Sequence, residues 1–330
     1  MSSSSIYIAD PPAGVRRFEG DTLQPNMAAC GITTALIALA VVGLRLYTRF
    51  FLTAARFQVD DVFVCCAALC SIMLIPISFK IMEAGVGLHM WNVTMAQYNP
   101  ALGIWTLITT IFYAWAVIFS KLSILAFYLR LSPQHWFRIL TFTLMGIATA
   151  YVLLYTFLFI FRCNPIAMNW DVTITKGTCI DTSTVMTVLS VANIVMDVLT
   201  LLLPIPVIMR LNMRLAQRVS VILIFSSGIF VCAIAIQRTV QMLSALTSAD
   251  YTWDITEQFY WSYIEVNAGI LCASVPALKP FAKRHLAPIF GSSQRYHEGN
   301  GASGGPQPAG QSQEAIVLGV TPKRSSYTRF

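Results

Sequence analysis

Seven apolar stretches, each of roughly 20 residues, follow one another along this chain with short polar connectors between them. A helix of that length reaches across the hydrocarbon core of a bilayer. Lipid offers no water to unpaired backbone amides, so each stretch must close its hydrogen bonds within itself. The pattern predicts spans at about 27–44, 62–82, 103–128, 139–161, 184–209, 219–243 and 259–280. Apolar residues run around every face of these segments, and seven in succession leave no other chain surface to bury them. The fold class is an all-α polytopic membrane protein, a seven-transmembrane helix bundle.

The connectors carry their cations on alternate sides. Arg45, Arg49 and Arg56 follow span 1, Arg130 and Arg138 follow span 3, Arg210, Arg214 and Arg218 follow span 5, and Lys279, Lys283 and Arg284 follow span 7. On the other side Arg16, Arg17, Arg162 and Lys176 are outnumbered by Asp10, Glu19, Asp21, Glu83, Asp171, Asp181, Asp250, Asp254 and Glu257. The positive-inside bias then sets the amino terminus outside and the carboxyl terminus in the cytoplasm, with the plasma membrane as the expected location. Two further signals agree. The sequon Asn92-Val93-Thr94 falls in an outer connector and makes Asn92 a glycosylation candidate, and Cys163 and Cys179 bracket another, where an oxidising compartment permits a disulfide.

Composition excludes other classes. Of 330 residues, 56% are hydrophobic and 11% charged, against about a quarter charged in a soluble domain. The net charge of +7 lies in short loops and the tail, without the basic, aromatic-interleaved face of a nucleic-acid binder, so the basic loops are expected to meet anionic lipid headgroups. The first 25 residues contain no apolar run of signal-peptide type, which makes the first span an uncleaved signal anchor. Residues 1–26 form an extracellular segment, 27–285 the membrane domain, and 286–330, rich in Gly, Ser, Pro and Gln, a disordered cytoplasmic tail ending in a kinase-like Lys323-Arg324-Ser325-Ser326. No internal repeat of the transporter kind is evident.

The remaining cysteines, Cys30, Cys65, Cys66, Cys70, Cys232 and Cys272, fall inside spans as small packing residues, and the four histidines lie at span ends, in loops or in the tail, so no metal site is expected. Ionisable residues inside a span are costly unless paired, which marks them as candidate sites. Lys121 lies about 27 Å below the outer end of span 3 and Asp197 about 20 Å below that of span 5. Asn193 shares the Asp197 face. Two readings stand: a Lys121–Asp197 polar core with Asn193, or Lys121 snorkelling to the interface with Asp197 bonded to a nearby Ser or Asn. Arg238 and Glu265, about 8–9 Å deep, can pair as well. With Trp261 they form either a ligand-facing wall at the bundle mouth or an interfacial aromatic belt with one ion pair. Lys80 and Glu83 pair locally or snorkel. Asp60 and Asp61 are expected to cap helix 2, with Arg45, Arg49 and Arg56 as nearby partners.

These residues resemble the fungal seven-helix rhodopsin-domain membrane proteins, which include the satratoxin-cluster membrane protein group and pathogenicity-associated receptor-like proteins. The resemblance covers about residues 27–285. It is carried by Arg49 with Asp60-Asp61, Lys121-Leu122-Ser123-Ile124-Leu125 running into Tyr128-Leu129-Arg130-Leu131, Cys163-Asn164-Pro165 with Trp170 and Cys179, Asn193 with Asp197, Leu203-Pro204-Ile205-Pro206, and Glu265 with Cys272-Ala273-Ser274-Val275-Pro276-Ala277-Leu278-Lys279-Pro280. It implies receptor-like topology and a frequent association with secondary-metabolite genes. The cysteine-rich outer module of some relatives is not expected, since no cysteine precedes Cys30.

The family name invites retinal, which the residues do not support. The centre of span 7 reads Ala268-Gly269-Ile270-Leu271-Cys272, and the lysine of that span, Lys279, stands at its cytoplasmic end. No cofactor is expected. The leading expectation is a receptor for a small molecule or surface cue with a cytoplasmic signalling partner. The alternative is an exporter of a metabolite or ion, using the intramembrane polar residues as a path. No enzyme is expected, because no nucleophile–base pair, metal cluster or phosphate loop is present.

Overall fold

The computed structural model describes residues 6–12, 14–18, 21–52, 58–131, 133–206, 215–278 and 280–281, with backbone alone at 131 and 215–224. The tail expected at 286–330, together with Arg56, Arg210, Arg214 and Lys279, lies outside these residues. Seven long helices account for the membrane domain: α1 Gln24–Tyr47, α2 Val59–Glu83, α3 Ala101–Leu131, α4 His135–Ile160, α5 Thr182–Leu202, α6 Leu215–Thr247 and α7 Tyr251–Ser274. Each predicted span falls on one of them.

Two boundaries differ from expectation for identifiable reasons. Helix α5 breaks after Leu202 into a turn at Leu203–Pro204, because Pro204 lacks the amide proton that would continue it; Ile205 and Pro206 are helical again, and 207–209 lie outside the described residues. Helix α7 starts at Tyr251, eight residues earlier than the apolar pattern suggested. Its first turns carry Asp254, Glu257 and Gln258, which an apolar window rejects, yet 15 of its 24 residues are buried. By length and composition six described segments could each cross a membrane; α7 falls short because it faces protein, not lipid, on most sides.

The distribution of side chains is that of a protein solvated by lipid. Leu36, Leu69, Phe142, Leu153, Phe157, Val191 and Phe230 point outward, while Ala38, Ala67, Ala116, Ala148, Ala235 and Ala273 line the helix contacts, where small residues allow backbones to approach. The chain is an all-α polytopic membrane protein.

The helix ends are finished differently at the two faces of the bundle. At one face, which we call the disulfide face, Cys163 and Cys179 are bonded across a two-stranded ladder, Cys163–Asn164 against Thr178–Cys179. This hairpin holds the α4–α5 connector over α3, and Gly103 permits the approach: a Cβ there would lie 2.6 Å from Trp170 Cα. The amino-terminal segment crosses the α2–α3 connector as a strap, with Tyr7 bridged to Thr94, Arg17 donating to the Trp91 carbonyl (2.6 Å) and the Phe18 amide donating to Asn92 Oδ1 (3.0 Å). The opposite face, the arginine face, is described with the site.

Candidate functional site

Four ionisable side chains meet in the middle of the bundle. Lys121 of α3 lies 3.0 Å from Asp197 Oδ1 of α5, and Arg238 Nε of α6 lies 2.6 Å from Glu265 Oε2 of α7. Asn193 joins the two pairs. Its side-chain oxygen accepts from Lys121 Nζ at 2.8 Å, and its Nδ2 donates to Glu265 Oε1 at 3.0 Å. Tyr113 donates to Glu265 Oε2 at 2.8 Å, and the Arg238 guanidinium sits 5.0 Å above the Tyr113 ring. The result is one electroneutral quartet spanning α3, α5, α6 and α7, with every member at most 8% exposed.

Of the two arrangements expected for Lys121, its ammonium lies inside the bundle, 3.0 Å from Asp197 and 2.8 Å from Asn193. The placement of Glu265 changes. It was expected near the mouth, about 8–9 Å deep, but the early start of α7 puts it about 21 Å along the helix from Tyr251. Its two oxygens are taken by Tyr113, Arg238 and Asn193. Trp261 lines none of the cavities described below; Gln258, Phe259 and Ser262 present the α7 wall instead. Of the three residues expected at the mouth, Arg238 and Glu265 each line a cavity and Trp261 does not.

Two polar atoms stand out within the quartet. Asp197 Oδ2 is buried with no hydrogen-bond partner, and Arg238 Nε contacts Glu265 as an ion pair without an aligned hydrogen bond. Both residues line empty space. A cavity of about 50 Å³ lies above the quartet, walled by Tyr113, Tyr151, Tyr155, Asn193 and Arg238. One of about 40 Å³ lies below, walled by Ser120, Lys121, Asp197, Thr200 and Glu265. Tyr151 and Tyr155 were missed from the sequence. Their signal was two tyrosines one turn apart inside an otherwise apolar span, on a face that turns inward.

Toward the disulfide face the upper cavity shares Thr110 and Met186 with a vestibule of about 330 Å³. Tyr98, Phe159, Trp170 and Tyr251 form its aromatic walls, and Arg162 its charged one. Arg162 Nε donates to Asn169 Oδ1 at 3.1 Å, and Asn169 is itself fixed by donating to the Ile160 carbonyl at 2.9 Å. Burial pulls the Arg162 guanidinium below its ordinary value, with Tyr251 opposing. The carboxylates of the same connector are occupied elsewhere. Asp171 is held below the usual carboxylate range by the Thr173 hydroxyl and amide and by Asn99, and Asp181 by Thr184 and Ser183 at the start of α5.

At the rim, His89 is stacked between Trp91 and Trp253, with ring centroids 4.3 and 3.9 Å away, and its Nδ1 lies 2.5 Å from Asp250 Oδ2. This ties the α2–α3 connector to the start of α7. Asn92, the sequon residue, is half-buried in a short 3-10 turn beneath the amino-terminal strap. Lys80 and Glu83 pair on the surface at 2.8 Å.

The arginine face holds a second ionic cluster. Arg45 donates to Asp60 (2.5 Å), to Asp61 (3.0 Å) and to the Ala273 carbonyl of α7 (2.5 Å). Arg49 adds a bond to Asp60 at 2.7 Å, and Arg130 of α3 also donates to Asp60. Asp61 does serve the helix start, accepting from the Gln58 amide at 3.3 Å. Asp60 does not cap: it stands two residues inside α2 and is taken by three guanidinium groups. Arg45 and Arg49, expected beside Asp60 and Asp61, are bound in this cluster, and Arg130, expected only in a basic loop, joins them, whereas Arg138 remains exposed.

A retinal chromophore does not fit this interior. Positions 268–272 of α7 offer no amine. The one buried lysine among the described residues, Lys121, is engaged by Asn193 and Asp197. The neighbouring cavities, at about 50 and 40 Å³, are far below the roughly 300 Å³ at which small-molecule pockets begin.

Comparison with known proteins adds lineage. The fungal rhodopsin domain family matches residues 44–284. A SAT4 family membrane protein of Emericella nidulans is 35% identical over 174 residues, 52% of this chain and 44% of that protein. Fugralins biosynthesis cluster protein 2 of Gibberella zeae is 26% identical over 291 residues, 82% of this chain and 71% of the relative. Receptor GIN3 of Arthrobotrys oligospora is 25% identical over 213 residues, 62% of this chain and 50% of the receptor. The chain thus spans about half or less of the length of two of these relatives. No solved structure matches it.

Proposed function

The chain belongs to the fungal rhodopsin domain family, and from that premise we propose that it is a receptor-like membrane protein. In this reading it senses a small molecule from the disulfide face and passes the signal to a cytoplasmic partner through the arginine face. One observation supports this above others: the quartet closes the bundle beneath the vestibule while bonding α3, α5, α6 and α7 to one another. A ligand that displaces Tyr113 or Asn193 from above must rearrange bonds shared by all four helices. The cavities on both sides leave room for that, and the unpartnered Asp197 oxygen gives Lys121 or a water an alternative site.

The same reading sets the disulfide face outside and the arginine face in the cytoplasm of the plasma membrane, from the charge bias of the connectors. It assigns the protein no catalytic step. The similarity to Receptor GIN3 favours sensing, and the similarity to a fugralins cluster protein favours a link to secondary metabolism.

Export is the second reading, favoured by the row of cavities, since the upper and lower ones share Val117. A strain lacking the protein separates the two. Lost response to added metabolites with unchanged efflux supports the receptor; unchanged response with metabolite retained inside the cell overturns it. Truncation after residue 286 gives a second contrast, because a receptor loses its output without the tail while an exporter keeps its flux.

A further inference from the structure

We propose that the vestibule is a binding site for a small organic monoanion, a carboxylate with a flat or slender apolar body, docked on Arg162. The proposal deepens the receptor reading and rests on it for its biological meaning, while the binding itself requires only the site.

Arg162 is drawn into the wall of the cavity, yet no carboxylate pairs with it among the described residues, and none of the residues lining the vestibule is acidic. Among the described residues its one side-chain hydrogen bond goes to a neutral amide and uses Nε. The two terminal amino groups are left as a fork of the kind that takes both oxygens of a carboxylate. A guanidinium held in a partly apolar wall without a counter-charge lacks both full hydration and an ion partner, and an incoming anion supplies the second.

Shape gives the rest of the ligand. The cavity measures about 330 Å³, at the lower edge of the range for drug-sized pockets. Tyr98, Phe159, Trp170 and Tyr251 offer flat apolar surface, and Thr106, Thr110 and Thr182 offer hydroxyls. A single cation suits one negative charge, whereas a phosphate ester would leave its second charge uncompensated. The site is also well supported. Asn169 aims the guanidinium, the Cys163–Cys179 hairpin fixes the connector, and Gly103 lets Trp170 lie against α3.

The test uses the purified full chain in phosphatidylcholine nanodiscs, titrated calorimetrically with trans-cinnamate, octanoate and the uncharged cinnamamide, with empty nanodiscs subtracted. Saturable binding of at least one carboxylate is expected, with cinnamamide and the Arg162→Gln variant each weaker by about tenfold or more, the scale of one charge-assisted contact. Should Arg162→Gln fail to fold, Thr106→Phe decides, since it fills the cavity and leaves the guanidinium in place. Abolished binding at an unchanged melting temperature supports the site; retained binding overturns it. Equal affinity for the amide, full affinity in a folded Arg162→Gln, or no saturable binding of either carboxylate overturns it as well. Binding without any cellular response would sink the receptor reading and leave the site standing.

Discussion

The bundle contains two buried ionic clusters, and they are built on opposite plans. At the arginine face three guanidinium groups, Arg45, Arg49 and Arg130, close on Asp60 and Asp61, with Ser123 donating to the Asp60 carbonyl at 2.8 Å. Both carboxylates are fully buried. In mid-bundle the quartet has one charge from each of four helices, an orphan Asp197 oxygen and cavities above and below. Buried charges cost several kcal/mol each unless geometry and hydrogen bonds compensate. The first cluster meets that demand with redundant donors, although its Arg49 Nε rests 3.5 Å from Asp61 without a hydrogen bond, and is suited to holding α1, α2, α3 and α7 in one arrangement. The second meets it barely and beside empty space, which suits a set of helices with a second arrangement within reach.

The comparison can be broken most forcefully at Asp60. Asp60→Ala leaves three arginines facing one remaining carboxylate, and removing one partner of a buried pair costs about 3–5 kcal/mol. We expect little folded protein, read as loss of the monodisperse peak in size-exclusion chromatography of detergent extracts. A well-folded Asp60→Ala would deny the cluster its scaffold role.

Next in size is the lid over the vestibule. Cys163 and Cys179 close a loop of sequence separation 16, for which chain entropy alone gives about 3 kcal/mol. Replacing both by serine is expected to lower the melting temperature and loosen Trp170, seen as a red-shifted tryptophan emission. An unshifted melt would show the hairpin held by its other contacts.

The quartet should respond more mildly and non-additively. Lys121→Met strands Asp197, whereas Asp197→Asn leaves Lys121 with both bonds to Asn193. The double variant is therefore expected to be less destabilised than the sum of the singles, by about 0.5–3 kcal/mol. Additive losses would dissolve the pair.

The smallest effect concerns the α5 start. Asp181 accepts from the Ser183 and Thr184 amides and from the Thr184 hydroxyl, which hold its carboxyl below the ordinary range. A depressed folded value means the contribution is present at neutral pH and fades as pH falls through that value. The melting temperature of Asp181→Ala should accordingly lie below wild type at neutral pH and converge with it in acid. A gap that persists in acid would point to a different cause.

The spans, their order and the candidacy of Lys121 and Asp197 were legible in the sequence because lipid imposes a length and penalises lone charges. The depth of Glu265 was not. The polar first turns of α7, Asp254, Glu257 and Gln258, hid its start, since a helix buried among other helices need not be apolar. The use of Asp60 was legible only in part, since Arg45 and Arg49 were expected beside it and Arg130 was not. A carboxylate near a helix start looks like a cap, and only the fold brings Arg130, 70 residues away, to it. The vestibule depends on a hairpin and on Gly103 packing beneath Trp170, neither of which leaves a periodic trace.

The most direct test is an infrared difference spectrum of the nanodisc-embedded protein with and without trans-cinnamate, its carboxylate carbon labelled with the heavy isotope so that its own band is displaced. Calorimetry on the same sample establishes that the vestibule is filled. A protein carboxylate difference band is expected, lost in Asp197→Asn or in Glu265→Gln. A filled vestibule with a flat carboxylate region, or a band that persists in Asp197→Asn and in Glu265→Gln, would contradict that expectation.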